Sequence, residues 1–139
     1  MQPHAEAHAL EVDGGVQPQR PFKLDEPVML ALAAAGVLRT FIARDMAGVL
    51  VGYFTWNISL DIESAGLLIA QQGAWYVAPG HQGAATSLWD LAVCELRRSG
   101  VKCIYPHHRQ QGRGSGIGRF FRRRGAKEIQ RTYSLWIGE

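Results

Sequence analysis

The sequence predicts an α+β domain: a mixed, mostly antiparallel sheet with helices on both faces. Three observations predict it. Two strand-like runs in the first half meet at "DMAG", the composition of a hairpin turn. In the second half apolar runs alternate with helical patterns, which argues for crossover connections and some parallel pairing. The chain has 139 residues, 47% hydrophobic and 19% charged, which suits one sizeable globular core.

The elements follow in order. A helix is expected over 26–35, with Asp25 as its cap, Pro27 in its first turn and Gly36 at its end. "VLRTFIARD" and "GVLVGYFTWNI" read as strands, rich in β-branched and aromatic residues. "SAG" breaks the chain, and "LLIAQQGAWYVAP" gives a third strand in which Gly73 marks a bulge. From Ala84 to Arg98, Leu88, Leu91, Ala92 and Leu96 recur at helical spacing, and Gly100 closes the helix. "VKCIYPHH" is a short buried strand. Residues 117–124 make a two-turn helix ending at Gly125. "KEIQRTYSLWI" is a final strand with Ile129, Tyr133 and Leu135 facing inward.

Residues 1–23 form an N-terminal arm, and 24–139 the domain. Pro3, Pro18, Pro21 and the turn "DGG" keep the arm loosely attached, although "HAEAHALEV" could form a short helix. His4 and His8 would share one face of it. They lack a third ligand and the H-E-x-x-H order, so no metal site is assigned. No apolar run approaches the length of a membrane span, and the N-terminus lacks a basic-then-apolar signal, so a cytoplasmic protein is expected. Cys94 and Cys103 are too few for a disulfide framework and read as buried thiols.

Charge is unevenly placed. Residues 1–96 carry four basic and ten acidic side chains, whereas residues 97–139 carry eleven and two. The basic third either attracts phosphate, on a cofactor or a nucleic acid, or forms a solvated face. No RNP-like, helix-turn-helix or zinc pattern supports nucleic acid as the partner.

Two glycine-bearing stretches compete to hold a phosphate. A helix N-terminus offers free N–H groups and a positive dipole end, provided that a strand leads straight into a full-length helix. "WYVAPGHQGAATSLWDLAVCELRRSG" meets that description. "GRGSGIGRFF" (112–121) opens only a short helix, and 21 residues follow Gly118. The first stretch resembles the acyl-coenzyme A loop of the GNAT N-acetyltransferase superfamily, with its pattern Q/R-x-x-G-x-G/A after V-x-P. Gln82 takes the Q/R position, Ala85 the first glycine and Ser87 the final Gly/Ala, and Gly83 follows Gln82. "GVLVGYFTW" is similar to the family's early G-x-x-V-G strand, and "RFFRRRGAKEI" to its closing F-Y-E-K-L-G-F segment. The rival, Arg113 to Gly118, spells the pattern letter for letter, but the family needs a long helix, a strand, another helix and a strand after its cofactor loop. Within the superfamily, "AWYVAPGHQGAA" and "YPHH" resemble small phage-encoded acetyltransferase-like proteins.

The resemblance implies a GNAT fold and acetyl-CoA as cofactor. Val77 and Ala78 would follow the pantetheine, and Gln82, Gly83, Ala84, Ala85, Thr86 and Ser87 would surround the pyrophosphate. It also implies acetyl transfer to an amine (a lysine, an N-terminus or a small molecule) by direct attack, and it leaves homo-oligomer formation open. Acetyl transfer needs a neutral amine, a positioned thioester and a proton donor for the thiolate. The family's base is often a carboxylate on the cofactor strand, and "LLIAQQGAWYV" has none. Its acid is commonly a tyrosine four residues before the glycine of the last helix, and here Phe121 stands there. His107, His108 and Tyr105 are the candidate replacements, because histidine titrates near neutral pH and all three end the next strand. Asp61 and Glu63 could bind a cationic amine. A catalytically silent GNAT-fold binding or structural protein, including one of a phage particle, is the alternative.

Overall fold

The computed structural model describes residues 26–108, 115–130, 133, 135, 137 and 138. The expected arm and the cap Asp25 lie outside them. The chain builds α1 (Glu26–Ala34), β1 (Leu38–Arg44), β2 (Leu50–Asp61), a 3-10 turn (Ile62–Ser64), β3 (Leu67–Val77), α2 (Gly83–Arg98), β4 (Cys103–Tyr105) and α3 (Ser115–Arg123). The sheet order is β1-β2-β3-β4. The first two pairings are antiparallel and β3 runs parallel to β4, which makes the sheet mixed and mostly antiparallel as expected.

Short side chains set the turns. The Asp45 carboxylate accepts the N–H groups of Ala47 and Val49, both at 2.9 Å, and so closes the β1–β2 hairpin at "DMAG". Asp61 does the same for Glu63 at 3.0 Å before Ala65 and Gly66 turn the chain through positive φ into β3. All three helices end at a glycine of positive φ: Gly36, Gly100 and Gly125.

The core lies between the sheet and α2. Leu88, Trp89, Ala92 and Leu96 are the buried face of α2, packed on Phe41, Phe54, Trp56 and Ala70. Full burial of a leucine such as Leu88 or Leu96 contributes about 1.5–3 kcal/mol. Leu91 was expected in this stripe but is 45% exposed. At about 100° per residue it falls roughly 110° from the centre of the buried face, and Trp89 takes its place. Cys94 is exposed for the same reason, which corrects the buried-thiol expectation; Cys103 is half-buried, and both thiols are free.

Aromatic rings fill one end of this core. Phe54 stacks on Trp75 at 4.5 Å between centroids and meets Trp56 at 4.8 Å. Phe120 and Phe121 seat α3 against Trp75 (5.6 and 5.9 Å) and Trp89 (5.5 and 5.4 Å). Each such pair adds about 0.5–1.5 kcal/mol beyond area burial. The indole N–H groups of Trp56 and Trp75 are buried without an acceptor among the described residues. Each costs about 1–3 kcal/mol, which ring burial must offset.

Two further expectations are corrected. β4 spans three residues instead of 101–108, because Pro106 has no N–H to continue the ladder. The final strand does not form among the described residues of 127–137. Ile129, Tyr133 and Leu135 are 68%, 89% and 84% exposed rather than inward. A three-residue β4 offers too few edge groups to template another strand.

Candidate active site

The site is built where β3 and β4 part. Their ladder pairs Ile69 with Cys103, Ala70 with Ile104 and Gln71 with Tyr105, and then stops. Beyond it, the backbone N–H of His107 donates to Gln72 Oε1 at 3.0 Å, and His107 Nε2 bonds the Gln72 carbonyl at 3.1 Å. The carbonyl can only accept, so Nε2 carries a proton. From Gly73 to Val77, no strand pairs with the β4-facing edge of β3 among the described residues.

A bulge marks the same point on the other edge. Phe54 pairs with Trp75 and Trp56 with Gln72, so Thr55 stands opposite both Gly73 and Ala74. Thr55 Oγ1 accepts the Ala74 N–H at 2.6 Å and satisfies the donor that the bulge displaces. Thr55 is the only buried polar residue of the described core. Gly73 was legible as a bulge, but its partner Thr55 was missed, and only the strand register exposes it. A Cβ on Gly73 would collide with Thr55 Oγ1. Gly73→Ala is therefore expected to destabilise the domain by about 1–3 kcal/mol, readable in urea unfolding, with Thr55→Gly partly restoring the loss.

Beyond its open edge, β3 runs through Ala78 to Gly80 into the N-terminus of α2. The Ala78 N–H goes to Val51 O at 2.7 Å and its carbonyl accepts from His81 N at 3.1 Å, which ties the loop to the sheet. The N–H groups of Ala84 and Ala85 bond back to His81 and Gln82. Those of Gln82 and Gly83 have no acceptor among the described residues. The first turn holds no acidic residue, and Gln82 forms no side-chain cap. Ser87 Oγ approaches Gly83 O at 3.4 Å, and Thr86 is exposed beside it. This end of α2 is thus an uncapped, positively polarised turn at the mouth of an open strand edge.

The other expected residues are distributed around this point. His107 sits at the parting. His108 packs against α3: its Nε2 would lie 3.1 Å from a Cβ on Gly118, and its ring is 6.4 Å from that of Phe121. The last glycine of "GRGSGIG" therefore admits a histidine, while residues 112–114 lie outside the described set. Tyr105 turns the other way, toward Cys103. Its hydroxyl is held above the usual value of 10.0, first by the bond to Cys103 and then by the charge of Cys103, with burial and Asp61 adding to it. Asp61 and Glu63 are at the far end of the β2–β3 hairpin. Asp61 pairs with Leu67, five residues before Gln72 and so about 17 Å along β3 from the parting. Of the three consecutive arginines, Arg124 folds over the Phe120 ring at 3.5 Å. Trp56, Trp75 and Trp89 belong to the core cluster and its edge rather than to an open stacking surface.

Comparison with solved structures matches the fold over nearly the whole chain. An aminoglycoside acetyltransferase from an uncultured soil metagenomic sample superposes with a TM-score of 0.76 at 14% identity, over 96% of this chain and 88% of that one. Glucosamine-6-phosphate N-acetyltransferase from Arabidopsis thaliana gives 0.69 at 7% identity, over 96% and 92%. A Trypanosoma brucei acetyltransferase gives 0.64 at 18% identity, over 99% and 95%. The fold is that of the GNAT acetyltransferases. No family model and no curated protein matches the sequence. The likeness thus lies in the path of the chain, at low sequence identity. No described helix is long and apolar enough to cross a membrane.

Proposed function

We propose that the protein is an acetyl-CoA-dependent N-acetyltransferase that moves an acetyl group to an amine by direct attack. One observation carries the reading: the unpaired edge of β3 runs directly into the uncapped N-terminus of α2. An extended amide-bearing arm suits such an edge, and a pyrophosphate suits such a helix end. The fit extends to Gly83, where nothing lies within 4 Å of an added Cβ, so a bulky anion has room.

Bound there, acetyl-CoA supplies an activated acetyl thioester. The N–H groups of Gln82 and Gly83 would hold its phosphates, and the turn through Ala84, Ala85, Thr86 and Ser87 would complete the cradle. Val77 and Ala78 border the arm. The Trp75, Phe120 and Phe121 rings lie beneath the parting strands and keep water from that side. Holding two reactants in register in this way is worth up to about 7–11 kcal/mol of barrier.

Proton handling is sparse. β3 carries no carboxylate, and Phe121 is buried with no proton to give. The raised hydroxyl of Tyr105 keeps its proton through the working range, so it cannot act as a base there. The amine must therefore arrive neutral. With a lysine peptide as acceptor, the expected result is a kcat/KM that rises about tenfold per pH unit from pH 6 to 8.5, following the free amine. A bell with a descending limb below pH 8.5 would reveal an essential acid that this reading lacks.

The same absences favour a second reading, a catalytically silent GNAT-fold binding or structural protein, including one from a phage particle. Thiol release from acetyl-CoA, assayed against a polyamine, a lysine peptide and a free N-terminal peptide, decides between them. Turnover of any acceptor supports the enzyme; saturable acetyl-CoA binding with none supports the silent protein.

A further inference from the structure

We infer that Gln72 and His107 are positioning residues that hold β3 and β4 apart at a fixed width where the proposed cofactor slot begins. The inference rests on the acetyl-CoA reading above and adds to it the device that keeps the slot open.

The argument starts from the ladder. A parallel pair left to itself continues at about 4.8 Å between backbones, joined by direct N–H to carbonyl bonds. Here it stops after Gln71 and Tyr105. Pro106 removes the next donor on β4. The donor after it, His107 N–H, does not reach a backbone carbonyl; it reaches the side-chain Oε1 of Gln72 at 3.0 Å. In return, the Gln72 carbonyl takes its bond from the His107 ring at 3.1 Å. Each direct bond is thus replaced by one that passes through a side chain, one contributed by each strand. Two side-chain spacers, crossed between the same two residues, set a separation that backbone bonding cannot. They also satisfy the polar groups that the parting would otherwise strand.

The bulge lies immediately beyond the clamp on β3, with Thr55 fixing Ala74 from the β2 side. β3 is therefore pinned from both edges within three residues, at Gln72 on one side and Ala74 on the other, and the open edge begins at Gly73 beside these pins. This placement gives His107 a structural duty for its Nε2 proton, and it makes Gln72 the residue on which the slot's width depends. A slot held open before binding spares the ligand the ordering cost of opening it.

The test uses the full chain with Gln72→Leu, which keeps bulk but removes the acceptor, and Gln72→Glu, which keeps the acceptor. In the cofactor-free protein, long-range proton–nitrogen spectra should show the Nε2–H tautomer of His107 and a hydrogen-exchange-protected His107 amide in the wild type. Gln72→Leu should lose the amide protection and bind acetyl-CoA about tenfold more weakly, and Gln72→Glu should return to within about threefold of wild type. A role in packing alone would make Leu the better replacement. Wild-type affinity in the Leu variant, or an equal loss in the Glu variant, would overturn the inference, and so would an unprotected His107 amide in the wild type. Failure of the wild type to bind acetyl-CoA at all would overturn the function reading and this role with it, while the tautomer and the protection would still report whether the clamp exists.

Discussion

Gly83→Glu is expected to weaken acetyl-CoA binding by at least about 100-fold and to leave the domain as stable as before, or slightly more so. Both effects come from one position. Gly83 opens α2, its added Cβ meets nothing within 4 Å, and its backbone is in an ordinary helical region. A carboxylate in the first turn of a helix is favourable by about 0.3–1 kcal/mol, and replacing a helical glycine adds about 0.5–1 kcal/mol. The same carboxylate would occupy the space that the proposed phosphates need and repel them. Losing two charge-assisted bonds of about 1.5–3 kcal/mol each accounts for the 100-fold loss. Calorimetry beside a thermal melt reads both arms. Normal binding by the variant would move the phosphates elsewhere, with the 112–118 stretch the first place to look.

Phe54→Ala is expected to cost about 3–5 kcal/mol, a large loss for a single ring. Phe54 is fully buried and touches Trp56, Trp75 and Trp89, so its removal leaves a cavity that rigid indoles cannot collapse into. Domains of this kind have about 5–15 kcal/mol in total, so about a fifth or more of the stability would go. The loss should spread to α3, whose Phe120 and Phe121 rest on Trp75 and Trp89. Urea unfolding followed by tryptophan fluorescence measures it. A cost below about 1 kcal/mol would mean that these rings are not the centre of the core.

Much of the fold was legible because local chemistry decides it. The Asp45 turn, the Gly73 bulge and the helix-ending glycines are each required by backbone geometry that few residues can supply. The limits of β4 and of the last strand were not legible in the same way. "VKCIYPHH" and "KEIQRTYSLWI" have strand composition, but a strand exists only where an edge accepts it. Pro106 and the Gln72 side chain end that edge after three residues. Leu91 misled for a related reason: one residue of helical phase separates it from the buried face, and the wide ring of Trp89 decides where that face lies.

For the proposed site, the sequence read "APGHQGAATS" as joining an apolar strand to the long helix, and the chain makes that connection. It could not find the clamp. Gln72 read only as part of a strand without a carboxylate, and His107 as a residue able to carry a proton. Their mutual bonds cross 35 positions of sequence, and only the register of β3 on β4 brings them together. Asp61 and Glu63 were read as amine-binding from their loop position. The hairpin register puts Asp61 opposite Leu67, at the end of β3 away from the α2 loop.

The central claim is that the β3 edge and the α2 N-terminus form one acetyl-CoA site. Isothermal titration of acetyl-CoA into the wild-type protein tests it most directly. The account predicts saturable binding at one site per chain, with a dissociation constant within about 1 μM to 1 mM. A flat titration at millimolar acetyl-CoA, with the protein folded by its melt, would contradict it.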